Sequence, residues 1–241
     1  MRRDDEIDYF QKQIKESLDF FEDWLYPSTY ENLTFKGVPL KKSVFFDKLD
    51  ELSHDKGDYK HNCLPCNLTD GANLIRYFLE KNITCESIRF FVNIYSILLY
   101  QQAERFGVIY SQLGYITNKN EFDWSQFPNL QNLKYWANFF KHPKSSMFLH
   151  HPTFHIESYS GNPNFMFDGI INNEFVKKYF AGGKLNMELE KLFLNKEFKI
   201  FFPDLISFTK LLCNESDNLI NIINSKKENI EILKLYRKKT F

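Results

Sequence analysis

The segment Phe90 to Tyr100 sets the tightest constraint on what this chain can become. It is the longest apolar stretch, and Asn93 and Ser96 break it well short of the ~20 apolar residues that a membrane-spanning helix requires. Ile88, Phe91, Ile94, Tyr95 and Leu98 recur at helical spacing, and Phe90, Ile97 and Leu99 widen the stripe beyond one face. A helix that is apolar on more than one face has to lie among other helices, so residues 85 to about 106, with Thr84 as cap, are expected in the middle of a helical bundle.

The partners for such a helix are legible. Ile7, Phe10, Ile14, Leu18, Phe21 and Leu25 define a first helix from about Asp4 that Pro27 ends. Residues 28–43, broken by Gly37 and Pro39, read as irregular, and a short helical segment follows over Val44 to Leu52. Thr69 stands as an N-cap before a helix from Asp70 to Glu80, and a connector over residues 115–128 leads to a helix from Asn129 to Lys141 before Pro143. Beyond that the texture changes. Phe154–Glu157 and Glu197–Phe202 read as strands, Asp204 is placed to cap a long helix with Leu205, Phe208, Leu212, Leu219 and Ile222 inward, and Asn229 to Tyr236 fits helix or strand. The expected architecture is mainly α: a helical bundle over residues 1–156 and a smaller α+β C-terminal region over 157–241 packed on it.

Composition narrows the function classes. The 241 residues carry 31 basic and 31 acidic side chains, so no global field draws the chain to nucleic acid or to an anionic membrane, and any basic footprint is local. Residues 1–25 hold eight acids against four bases, and residues 226–241 hold six bases against two acids, which reads as a solvated acidic helix and a solvated basic tail. No apolar h-region follows Arg2 and Arg3, and with no spanning segment the expected location is cytoplasmic, without membrane contact. The four cysteines are then expected as reduced thiols.

The most site-like feature is the helix end from Lys134 to His142. At 100° per residue, Leu130, Leu133, Trp136, Ala137 and Phe140 share an apolar arc of roughly 120°. Lys134, Asn138, Lys141 and His142 fall together in the neighbouring arc, three of them stacked at four-residue steps. Imidazole moves a proton near neutral pH, ammonium groups neutralise phosphate and an amide orients either, so the ridge has parts suited to gripping or cutting RNA. The same residue types also suit an ordinary helix C-terminus, where cations meet the negative end of the dipole. His151, close behind in a histidine-rich stretch with His150 and His155, is placed to support the same cleft.

At these residues the chain resembles the HEPN families, helical-bundle proteins of prokaryotic toxin, antiphage and CRISPR systems. Ala137-Asn138-Phe139-Phe140-Lys141-His142 matches the asparagine and histidine of the family's motif at their spacing, and Ala137 stands where the family has arginine. The resemblance covers about residues 1–143. It implies a metal-independent ribonuclease fold that commonly dimerises, with His142 as general acid or base, Asn138 as orienter and Lys141 as phosphate contact, and with Lys134, Lys141 and His151 available to nucleic acid. Without the planar, bidentate guanidinium at Ala137, the expectation moves from cleavage toward binding of RNA or of a partner protein.

A second constellation is Cys63-Leu64-Pro65-Cys66, preceded by His54 and His61: four soft or borderline ligands for zinc, read as lying in one polar loop. No second cysteine pair completes a standard finger, so no cofactor is favoured and zinc is the one candidate. A dithiol redox site is disfavoured, because no strand precedes the pair. Cys85 and Cys213 read as buried small apolar residues on helices. Gly182-Gly183-Lys184 lacks the spacing of a phosphate-binding loop, and Ser160-Gly161 lacks that of a nucleophile elbow.

Overall fold

A computed structural model describes residues 3–53, 63–141 and 205–239. Over these residues the chain is mostly helical, with seven α-helices and one small two-stranded sheet. The strands expected at 154–157 and 197–202, the cap at Asp204 and the boundary at 156/157 lie outside the described residues.

Helix α1 spans Arg3–Leu25 and buries Phe10, Ile14, Leu18, Phe21 and Leu25 along one side, as the apolar spacing requires. Pro27 stops it, since a proline has no N–H to continue the ladder. The next segment is ordered where irregular chain was expected. Strands β1 (Ser28–Phe35) and β2 (Val38–Lys42) pair antiparallel, with Phe35 opposite Val38 and Thr34 opposite Pro39. Lys36 (φ 51°) and Gly37 (φ 79°) take the positive φ that a two-residue hairpin turn needs at both central positions, so Gly37 makes the turn. The sequence hid this hairpin because the β2 side chains from Val38 to Lys41 are exposed, leaving no alternation of inward and outward residues.

Helix α2 (Val44–Lys48), capped by Ser43, and a 3-10 turn at Asp50–Leu52 lead to α3, Leu64–Lys81. Helix α3 begins six residues before the expected Asp70. Pro65 sits in its first turn, where a missing N–H costs nothing, and Cys63 caps it. Thr69, expected as the cap, is instead buried inside the helix with its hydroxyl 2.7 Å from that of Ser43.

Helix α4 runs Ile88–Gln112 with Ser87 as its cap in place of Thr84, and it continues past the expected end at Phe106. Cys85 therefore precedes the helix and is half-buried, where burial on a helix was expected. The buried stripe of α4 is Phe91, Tyr95, Leu99, Ala103, Phe106 and Tyr110, widened by Val92 and Ile109, whereas Phe90 is 53% exposed. As expected of a helix apolar on more than one face, α4 packs against α3, against α5 (Pro128–Lys141) and against two later helices, α6 (Leu205–Ser225) and α7 (Lys227–Lys239).

Helix α6 also packs on α1 and α5, and it buries Leu205, Phe208, Leu212 and Leu219 in the same hydrophobic core as α1 and α4. Ile223 takes the fully buried place expected for Ile222, which packs partly buried against the core. The segment that fitted helix or strand is helix α7, which buries Ile230 and Leu233 one turn apart. No helix among the described residues is long and apolar enough to cross a membrane.

Candidate functional site at helix α5

The chain reaches α5 through an aromatic connector. After Gly114 (φ 92°) ends α4, Ile116 bridges Phe122 across a tight turn in which Asn120 has positive φ. Asp123 then caps a 3-10 turn, Trp124–Gln126, by accepting from the Ser125 hydroxyl at 2.6 Å, the Gln126 amide at 2.9 Å and the Ser125 N–H at 3.2 Å. These donors hold the Asp123 carboxyl below its ordinary range. Phe127 stacks on Tyr110 at 3.9 Å between ring centroids, and Phe122 packs edge-on to Trp124 at 4.9 Å, so the connector is fastened to α4 by rings.

This fastening places Trp124 over the side of α5. The Lys134 ammonium lies 4.5 Å from the centre of the Trp124 ring, and Tyr100 of α4 stacks on the same ring at 6.0 Å. Tyr100, Trp124 and Lys134 are all half-buried, so a cation and two aromatic rings meet at the surface. Of the apolar arc expected on α5, Leu130, Leu133 and Ala137 are buried, Ala137 with 1% of its surface exposed, and the side chains of Trp136 and Phe140 lie outside the described residues. Asn138 and Lys141 belong to α5, but their side chains lie outside the described residues, as do His142, His151, His150 and His155. Trp124 is the partner that sequence reasoning missed, because its pattern places it only in a connector.

A second polar cluster was also missed. Glu215 on α6 is buried and accepts from the Tyr110 hydroxyl at 2.7 Å, from the Asn218 amide at 2.8 Å and from the Asn129 amide of α5 at 3.3 Å. Nearer the start of α6, the Thr209 hydroxyl meets that of Tyr95 at 2.5 Å. Burial, together with the Glu215 charge in the case of Tyr110, pushes both phenols well above the ordinary tyrosine range. The signal in the sequence was Glu215 itself, a carboxylate on the inner stripe of α6 between Leu212 and Leu219. A network so closed ties α4, α5 and α6 together and leaves little capacity for a ligand.

The cysteine pair is at the start of α3, which corrects its placement in a polar loop. Cys63 is fully buried and accepts the Cys66 N–H on its Sγ at 3.1 Å. Cys66 is half-buried, and burial with the neighbouring Cys63 sulfur pushes its thiol up to about 12. His54 and His61, the other zinc candidates, lie outside the described residues; among the described residues no three metal-ligating side chains converge. A shallow groove of about 280 Å³ is lined by Lys48, Asp50, Glu51, Leu52, Asn224 and Ile230, with no residue from α5.

No family model matches this chain, and no curated protein or solved structure matches it.

Proposed function

We propose that the protein is a HEPN-like helical component of a prokaryotic antiphage-defence or toxin-type system, and that it grips RNA along the side of α5 with little or no catalysis. The observation that carries this reading is the pairing of Lys134 with the half-buried Trp124 beside a buried Ala137. A cation on an aromatic face, at a surface reached by a second ring from Tyr100, offers charge for a phosphate and π-surface for a base. Ala137, at the arginine position of the resembled motif, has no polar group and points into the core, so the scissile phosphate lacks its planar clamp. On this reading Lys141 joins Lys134 in phosphate contact, Asn138 orients, and His142 and His151 complete the cleft.

Binding of fluorescent single-stranded RNA to the purified chain, measured across salt concentrations, tests this directly. The expected result is salt-dependent binding without turnover. Each lost phosphate contact on a single strand lowers the salt slope by about 0.7, which is the change expected for Lys134→Ala. RNA cleavage that survives chelation and vanishes in His142→Ala would instead make the chain an active metal-independent ribonuclease. Absence of RNA binding, with a stable complex formed by a protein encoded alongside, would overturn the RNA reading in favour of an interaction subunit, and elemental analysis would show whether zinc supports it through Cys63, Cys66, His54 and His61. Light scattering of the same preparation reads out a homodimer.

A further inference from the structure

Among the side-chain caps described at helix starts, three use an oxygen and one a sulfur. Ser43 caps α2, Ser87 caps α4 and Asp123 caps the second 3-10 turn, each through a side-chain oxygen, as is favoured at this position. Helix α3 is capped by a thiol, and it is the start at which a second cysteine stands three residues on. A sulfur is the weaker cap acceptor, so the cap alone does not explain the choice.

The pair opens a helix instead of lying in a polar loop, and that arrangement suits the dithiol chemistry which the sequence disfavoured for want of a preceding strand. Cys63 is the extended N-cap (φ −74°, ψ 142°) and Cys66 follows in the first turn, with its N–H 3.1 Å from the Cys63 Sγ and the two thiols in hydrogen-bond contact, so the sulfurs already lie side by side. Pro65 holds φ in the intervening turn, and the Asn67 N–H bonded to the Cys63 carbonyl at 3.1 Å fixes the backbone on either side of Cys66. The Cys63 sulfur sits at the start of the helix with the Cys66 N–H aimed at it. Cys66, half-buried, is the point of entry, and Cys63, fully buried behind it, is the resolving thiol.

We infer that Cys63 and Cys66 form a reversible dithiol–disulfide site at the start of α3 that reacts with low-molecular-weight disulfides. Deprotonated Cys66 attacks the external disulfide, giving a mixed disulfide and releasing one external thiolate. The Cys63 thiolate then attacks the Cys66 sulfur, forms the Cys63–Cys66 bond and expels the second external thiolate. The protein loses two electrons and two protons, and the external disulfide becomes two thiols. Both sulfurs lie on one helical turn, so the crosslink constrains α3 alone and leaves the bundle intact.

The test is equilibration of the full chain with excess glutathione disulfide in the presence of a chelator, followed by denaturing alkylation and peptide mass mapping. Burial disfavours the Cys66 thiolate, so the readout is the equilibrium product and not the rate. Two of the four thiols should be lost, with a Cys63–Cys66 linkage that dithiothreitol reverses fully. Cys63→Ser keeps an oxygen cap, and it should trap glutathione on Cys66 because the resolving thiol is gone. Four thiols still alkylated in the wild type would overturn the inference. So would glutathione held on Cys66 equally in the wild type and in Cys63→Ser, or a linkage through Cys85.

Discussion

The interior seam between α4 and α6 and Lys134 at the surface of α5 both set polar side chains against aromatic rings, yet in opposite surroundings. In the seam, Tyr95 pairs with Thr209 inside the core, and the buried Glu215 gathers the buried Tyr110 phenol and the amides of Asn129 and Asn218 at its edge. Each group spends its hydrogen-bonding capacity on another, and the low-dielectric surroundings strengthen every bond. On α5, Lys134 rests on the face of a half-buried tryptophan at the surface, where solvent reaches both partners. Among the described residues the buried cluster therefore reads as structure, and the contact of Lys134 with an aromatic face at the surface reads as a candidate site.

The largest separation between the two regions is expected at high pH. The phenols of Tyr95 and Tyr110 are held protonated in the fold, whereas an unfolded tyrosine releases its proton near pH 10. Above that pH the unfolded chain binds fewer protons than the folded one, so stability is full below about pH 10 and falls above it, by about 1.4 kcal/mol per pH unit for each phenol. Urea unfolding followed from pH 8 to pH 11 should show this loss, and Tyr95→Phe should reduce it. A flat profile would mean that the seam opens to water.

Glu215→Ala comes next. It leaves Tyr110, Asn218 and Asn129 without their acceptor and should cost about 3 kcal/mol in urea unfolding, with Glu215→Gln costing less because it retains an acceptor oxygen. An unchanged midpoint in Glu215→Ala would remove the seam's structural role. Gly71→Ala probes the neighbouring α3–α4 contact, where Gln102 donates to the Leu68 carbonyl at 3.0 Å. An added Cβ would lie 2.0 Å from the Gln102 side-chain oxygen and 2.5 Å from the Arg105 guanidinium, so the expected cost is about 1–3 kcal/mol. Lys134→Ala should be smallest in stability, under about 0.5 kcal/mol, and on the proposed function it weakens RNA binding. A larger loss of stability than in Gly71→Ala would place Lys134 with the structural polar groups.

Much of the bundle was legible before its packing was known. The α1 stripe from Phe10 to Leu25 and the buried arc of α5 follow from helical spacing, because a helix that buries one side must repeat its apolar residues with the helical period. Helix starts were less legible. Thr69 and Thr84 are good caps in isolation, but Pro65 tolerates an earlier start of α3 and Ser87 takes the later start of α4. The hairpin was missed because its exposed strands have no inner face to pattern them, and Trp124 because a connector residue acquires its partner only when α4 and α5 come together.

Local spacing thus determined that this chain makes amphipathic helices around one apolar on several sides, and which face of α5 turns inward, since both depend on residues a few positions apart. Only the tertiary structure decided that Glu215 meets Tyr110 across 105 positions, that Lys134 rests on Trp124, and that Cys63 and Cys66 share the first turn of a helix. The first two depend on how elements distant in sequence pack, and the third on where α3 begins, a boundary set by competition among caps that no single stretch of sequence resolves.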